Sequence, residues 1–492
     1  MELQFEKQEI DFLRQALGAV KDQELTQEIR LTDAMPDVGR VLAGWGQPVL
    51  RSKEWQGSQV GASGGVMVWI LYAPEDGTDP RVVEGWLPFQ MKWDVRADRE
   101  GPLRIMPLVR FVDGRNVSAR KILVRAGLSC LAEGICRSQA EVYKAPEPPE
   151  DVQLLRRNYP VRLPKEAGEK AFDVDENLNG SNVAEILSYS LRPGVAEQRV
   201  HGDKVVLRGA GDLHLVYRCN EGRICTSHFD IPYSQFAELE RPYSTDAAAD
   251  VVMAVTGLEV ALGDEGLNVK ASLVAQYIVS DRTMLELVED AYSTRRDVGL
   301  RQEELMLPSI LDETTERVSP RAAFPDAEEG LDLTFWPGFP KHRREGDRVE
   351  LTIPGRFQLL GRDGDGKLRG WQEGWEGSVS LSGDEANRMD SLFLTQGAPQ
   401  MISGGRGMEG RAEGQVRTVS TSRMGLPMLT ALELGAIREP DELRPSLILC
   451  RPGGKGLWNL AKASGSTMDA IRMANGMEDD EDMDRMILIP VS

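Results

Sequence analysis

The sequence is short of the residues on which most catalytic and metal chemistry depends. Only four histidines (His201, His214, His228, His342) occur in 492 residues, so a triad or a metal centre has few bases or ligands to draw on. Five cysteines (Cys130, Cys136, Cys219, Cys225, Cys450) form no C-x-x-C pair and are odd in number. That pattern reads as reduced thiols in a cytosolic protein rather than as a disulfide framework. Cys219 and Cys225 flank NEGRI, a hairpin-like stretch, where small apolar filling is the commoner role for such a pair. Basic residues are also scarce: 58 Lys and Arg stand against 78 Asp and Glu, a net charge of -20. This argues against a nucleic-acid or anionic-membrane surface, both of which need clustered cations, and leaves a basic protein partner open. No run approaches the roughly 18 uncharged residues of a membrane span. MELQFEKQEIDF carries charge throughout and lacks the apolar centre of an export signal.

What is present is a folded, turn-rich chain. Hydrophobic residues make up 41%, with 49 glycines and 27 prolines, and the length calls for two to four domains rather than one core. Internal repeats organise it. DVGRVL at 37–42 returns as NVAEIL at 182–187, and VGASGGVMVWILY at 60–72 returns as VVLRGAGDLHLVY at 205–217, both at a spacing of 145. LPF at 87–89 and IPY at 231–233 keep nearly that shift, and NVSARKILV (116–124) resembles NVKASLVAQ (268–276) at 152. A fainter third copy follows at 144, taking Val205 to Val349, Gly211 to Gly355 and LP at 163–164 to LP at 307–308.

Each copy reads as strand. Val66, Val68, Ile70 and Tyr72 alternate, as do Leu213, Leu215 and Tyr217, then Phe357 and Leu359. Turn chemistry at PEDG (74–77), NEG (220–222) and GRDGDG (361–366) separates the runs. DVGRVL and NVAEIL read as single helical turns capped by Asp37 and Asn182. Charge- and Pro-rich stretches at 144–153, 291–297 and 438–446 mark boundaries, giving units 1–147, 151–292 and 295–445 and a tail, 447–492.

Several stretches imitate active sites. Gly61-Ala62-Ser63-Gly64-Gly65 fits G-x-S-x-G, but a nucleophile elbow needs a helix next, and VMVWILY is a strand. Ser63 aligns with Arg208 in the second copy, so the serine does not recur. His214 and His228 straddle the NEG turn with too few companions for a metal site. Asp363 and Asp365 open like a calcium loop, yet Lys367 takes the next ligand position, so a hairpin turn is the better account. Tryptophans 45, 55, 69, 86 and 93 would make a sugar platform if read alone; in a strand-rich unit they read as packing. No catalytic set and no cofactor is expected.

The tail differs. LILC and MILIPV are short strands, and between them lie two helical patterns. Leu457, Leu460 and Ala461 share a face of the first. Ser466 with Asp469 looks like a capping box for the second, whose stop is Gly476 after Asn475. PGGKGLWNLA is not a phosphate loop, since Lys455 is followed by Gly456 rather than Ser or Thr. The strand–helix–helix–strand layout, with Gly456-Leu457-Trp458, Leu460-Ala461, Thr467, Ile471, Asn475 and Leu488-Ile489-Pro490, resembles a LysM domain. It departs from that family at the opening turn, where GGKG replaces the usual Gly-Asp-Thr, and in the acidic MEDDEDMDR at 477–485. The resemblance then implies a groove framed by Gly454, Lys455, Gly456, Leu457, Trp458, Asn475, Asp479 and Asp480, turned from glycan to protein recognition. The acidic loop is expected to meet a basic patch.

The repeats resemble SPOCS domains: Asp37 to Leu42, the glycine-bearing strand ending at Tyr72, and LPF. Tandem SPOCS domains followed by a LysM are similar to the spore-coat morphogenesis family of clostridial endospore formers. That resemblance implies a non-enzymatic scaffold in the mother cell, at the forespore surface, docking on the coat's basement-layer ATPase. The expected fold is mostly β, tandem β-rich repeats followed by a small α/β domain. The competing reading is a cell-wall protein that holds peptidoglycan glycan through the LysM-like tail.

Overall fold

Alternating apolar residues build long antiparallel strands along nearly the whole chain. The computed structural model describes residues 2–491 apart from 98, 264–265, 347, 383–387, 406, 440–444, 455 and 478–485. The first stretch holds β1 (Glu2–Gln4), β2 (Glu6–Arg30), β3 (Val38–Gln56), β4 (Gln59–Pro74), β5 (Arg81–Asp94), β6 (Leu103–Ser118) and β7 (Lys121–Lys144). β3-β4-β5 form one sheet and β2-β7-β6 another. Val60, Val66, Val68, Ile70 and Tyr72 of β4 meet Ile105, Ile122, Val124 and Leu128 of the second sheet in a single buried core. The outcome is a sandwich, each sheet covering the other's apolar face.

The strand order then recurs. β8 (Val152–Leu178), β9 (Val183–His201), β10 (Lys204–Cys219), β11 (Ile224–Glu238), β12 (Ala248–Gly263) and β13 (Gly266–Ser293) give sheets β9-β10-β11 and β8-β13-β12. Next come β14 (Arg296–Val318), β15 (Arg321–Phe324), β16 (Ala327–Pro337), β17 (Lys341–Glu345), β18 (Arg348–Asp363), β19 (Leu368–Ser382), β20 (Arg388–Ser403) and β21 (Met408–Ile437). Here β16 and β17 share one side of β18 with β19 on the other, while β14 and β20 pair with β21. β1 crosses over to add to β21.

DVGRVL and NVAEIL are not helical turns: they begin β3 and β9. The reason is a pair of β-bulges, each adding one unpaired residue and breaking the two-residue alternation. β3 bulges at Gly39 and Leu42, and β9 at Ala184 and Leu187. Val38, Val41 and Leu42 thus imitate the i, i+3, i+4 spacing of a helix while remaining extended. A third bulge sits at Arg51 in β3 and Ala196 in β9, so all three recur at the repeat's spacing of 145. β16 bulges at Glu328 and Leu331, a further 144 along.

The three stretches meet at corresponding residues. Leu71, Val216 and Leu360, equivalent positions of β4, β10 and β18, are fully buried in one cluster together with Leu42 and Leu187. Polar links connect the stretches in a ring. Leu191 N donates to Gln47 Oε1 at 2.7 Å, Arg192 Nη2 donates to Phe335 O at 3.1 Å, and Gln358 pairs with both backbone groups of Gly44. Beyond β21 the chain forms β22 (Leu447–Cys450), α1 (Leu457–Ser464), α2 (Met468–Asn475) and β23 (Ile487–Pro490).

Candidate partner-binding site

α1 starts at Leu457, with Gly456 as an extended N-cap residue that makes no side-chain cap. It buries Leu457, Trp458, Leu460 and Ala461. α2 is capped by Thr467, whose hydroxyl accepts from Ala470 N at 3.1 Å, and not by Ser466, whose buried Oγ has no hydrogen-bond partner among the described residues. A hydroxyl one residue earlier lies outside hydrogen-bond reach of the first helical amides. Gly476 stops the helix in the left-handed region at φ +61°, where a Cβ is costly. Below the helices, β22 and β23 pair antiparallel, Ile448 and Cys450 lying against the tail's core with Ile487 and Ile489.

The groove residues expected to face a partner have internal duties. Asn475 Nδ2 donates to Leu488 O at 2.6 Å and to Ile471 O at 2.7 Å, and its Oδ1 accepts from Leu488 N at 2.8 Å. It therefore pins β23 as a neighbouring strand would. Trp458 docks the tail on the second stretch: its indole N–H donates to Asp290 Oδ2 at 2.8 Å and its ring meets Tyr292 edge-on at 4.8 Å. Lys462 pairs with the same Asp290 at 2.7 Å, and Tyr292 donates to Ser466 O at 2.8 Å. Burial, aided by the Asp290 carboxylate, pushes the Tyr292 phenol up to about 12. Gly454 is in a left-handed turn at φ +82°. Lys455, Asp479 and Asp480 lie outside the described residues.

The surface the tail does offer is the outer face of its sheet. Leu447 and Leu449 are 52% and 61% exposed, and opposite them stand Pro490 and Leu488. Met486, two residues before Leu488 in the sequence, is also exposed. Directly opposed antiparallel residues share a face, so these side chains form one aliphatic strip. The signal was in the sequence: LILC and MILIPV are apolar at every position, whereas one covered face needs only every second one.

The other candidates fall as follows. Ser63 lies inside β4, paired with Ser52 and Gln90, with no sharp turn beside it. His214 and His228 face each other across β10 and β11, stacked at 4.7 Å, each bonded to its own carboxylate: Asp332 at 2.6 Å and Asp212 at 2.8 Å. No group of three or more potential metal ligands occurs among the described residues. Asp363 closes its hairpin by accepting from Asp365 N and Lys367 N. Cys219 and Cys225 are free thiols. Trp45, Trp55, Trp69 and Trp93 are packed inside, while Trp86 is 36% exposed. Among the described residues no helix is long and apolar enough to cross a membrane.

A mostly β chain of packed sheets that presents strand faces and carries a small helical tail defines the broad class. Residues 182–262, from the start of β9 to the end of β12, match the family described as SipL, SPOCS domain. This stretch is similar to a SPOCS domain. No curated protein and no solved structure matches it.

Proposed function

We propose that the protein is a non-enzymatic adaptor of spore coat assembly, made of three SPOCS-like units (1–147, 151–292 and 295–445) and a LysM-like tail (447–492). In this reading it works in the mother cell at the forespore surface, the tail docking on the ATPase of the coat's basement layer. The SPOCS match at 182–262 supports the coat assignment. Recurrence of the strand order and of the bulges in β3, β9 and β16 supports the three units. One observation carries the docking mode: the aliphatic strip of Leu447, Leu449 and Met486 faces solvent, while Trp458 and Asn475 are engaged inside the molecule. An aliphatic face suits a protein contact, whose centre is apolar and desolvated, better than a sugar. The acidic segment 478–485 directly precedes Met486 in the sequence, and its charge suits a partner with a basic rim.

The test uses the full chain carrying Leu447→Ser and Leu449→Ser. The pair is expected to weaken binding to the purified ATPase by about tenfold or more, each lost apolar contact counting for roughly 1 kcal/mol, with the thermal midpoint unchanged. Retention of the unaltered chain on peptidoglycan fragments, with no binding to the ATPase, would support the cell-wall reading instead.

A further inference from the structure

On the first stretch, the outer face of β3-β4-β5 carries an arrangement that the adaptor role does not use. Even-numbered residues of β4 point into the core, so Ser63, Gly65 and Met67 line the opposite face. Trp86 of β5 is registered against Met67, and its indole lies over Gly65: a Cβ there would stand 2.3 Å from Trp86 Cε2 and Cζ2. Only glycine lets the ring settle flat on the neighbouring strand. The G-x-S-x-G look-alike is therefore a bed for an aromatic ring.

Around that ring stand polar groups without a partner. The bulge at Arg51 re-aims its side chain, and the guanidinium hangs 5.6 Å from the Trp86 ring centroid, the loose end of the range for a cation over a ring. Ser63 and Gln90 sit side by side across the β4–β5 ladder. All four line one shallow, open groove of about 730 Å³. Among the described residues, the side chains of Arg51, Ser63, Trp86 and Gln90 make no hydrogen bond or ion pair with the protein, and no carboxylate lines the groove. On a chain of net charge -20, where exposed arginines such as Arg137, Arg223 and Arg343 have acidic neighbours, an unpaired arginine beside an open indole is distinctive.

We propose that this groove binds a pyranose ring bearing a carboxylate, an acidic sugar. The C–H face of the ring would lie on the Trp86 indole, the carboxylate would take the Arg51 guanidinium, and ring hydroxyls would bond Gln90 and Ser63. Flatness and a single exposed aromatic favour one sugar ring over a protein interface, whose anchors fill pockets surrounded by apolar contacts. The site lies far from the tail in sequence, and its test needs no coat partner.

The test is calorimetric and ligand-observed NMR titration of the full chain with N-acetylmuramic acid, and with N-acetylglucosamine as the same ring without the carboxylate. The acidic sugar should bind with a millimolar Kd and about tenfold more tightly than the neutral one, as expected for a charge-assisted hydrogen bond. Trp86→Ala should abolish both interactions, and Arg51→Gln should remove the preference for the acid while leaving the thermal midpoint unchanged. Equal affinity for the two sugars, binding that survives Trp86→Ala, or capture of an acidic peptide with no saturable sugar contact would each overturn the proposal.

Discussion

Asp332 and His214 lie 2.6 Å apart, although 118 residues separate them. Asp332 is wholly buried and also accepts from Trp45 Nε1 at 2.9 Å and Thr226 Oγ1 at 2.9 Å. One carboxylate of the third stretch thereby gathers donors from the first and second. Thr334 Oγ1 donates to it as well, so removing it takes the acceptor from four side chains, of which Thr226 keeps Leu215 O as a partner. Asp332→Ala should cost about 3–5 kcal/mol, the penalty for breaking a buried charged network, read as a lower urea midpoint. Burial alone would raise the Asp332 pKa, but His214, Trp45 and Thr226 hold it below the ordinary carboxylate value. A depressed native pKa gives stability that is present above the unfolded value, near 3.9, and lost as pH falls through the native one.

The cluster around Arg104 should respond to acid with two opposite signs. Arg104 is buried between Glu133 at 2.6 Å and Asp250 at 2.7 Å, and Arg417 reaches Asp250 at 2.8 Å. Burial pushes Asp250 up, but the two arginines outweigh it and bring its pKa down to about 2. Asp250 then stabilises the fold at neutral pH and loses that contribution between about pH 4 and pH 2. Glu133 has a raised pKa because burial dominates over Arg104, so its ionised form opposes folding above the ordinary value, a cost relieved on acidification. Asp250→Asn should therefore lose about 2–3 kcal/mol at pH 7, while Glu133→Gln should stay within about 1 kcal/mol of the parent. Urea titrations at pH 7 and pH 3 check both, and the Asp250→Asn deficit should shrink at the lower pH.

Much of this fold was legible because it is local. The turns at 74–77, 220–222 and 361–366 were readable from their Asp and Gly residues, and Gly77, Gly222 and Gly366 do take positive φ, which glycine adopts at no steric cost. The two tail helices were readable from their apolar spacing. The start of β3 was not, because bulges at Gly39 and Leu42 counterfeit a helical period. The cap of α2 was misplaced by one residue, since Ser466 and Thr467 carry the same chemistry and only backbone geometry separates them. The candidate groove depended on distant residues. Nothing near Trp458 announces Asp290, 168 residues away, so an aromatic that looked free for a partner is engaged within the molecule.

Asn475 should be essential to the tail and not merely to its contacts. With described residues its amide makes hydrogen bonds to Ile471 O and to both backbone groups of Leu488 in β23, in a unit whose described sheet has two strands. Asn475→Ala leaves two carbonyls and one amide without that partner and should destabilise the tail by about 2–3 kcal/mol. Asn475→Asp keeps the acceptor for Leu488 N but loses both donations, so it should recover little. Hydrogen exchange of the β22 and β23 amides is the measurement, with protection in β3 and β4 expected to stay constant.

Docking of the tail on the second stretch should be separable from its folding. The contact rests on the Trp458 indole bond to Asp290, the edge-on Tyr292 ring and the Tyr292 hydroxyl on Ser466 O. A hydrogen bond to a charged acceptor contributes about 1.5–3 kcal/mol and the aromatic pair about 0.5–1.5 kcal/mol, whereas the half-exposed Lys462 pair adds little. Asp290→Ala should thus release the tail while α1 and α2 remain folded, because Leu457, Leu460, Ala461 and Ile471 still share the tail's own core. Tyr292→Ala should release it too, and Lys462→Ala should not. Alkaline pH offers a check without mutation. The Tyr292 phenol is raised to about 12, so its contribution is complete below the unfolded value, near 10, and falls as pH climbs toward the native one. The Trp458 environment, followed by NMR of the indole N–H, should change over that interval while the α2 amides stay protected. Simultaneous loss of both signals would mean that docking and folding of the tail are a single event.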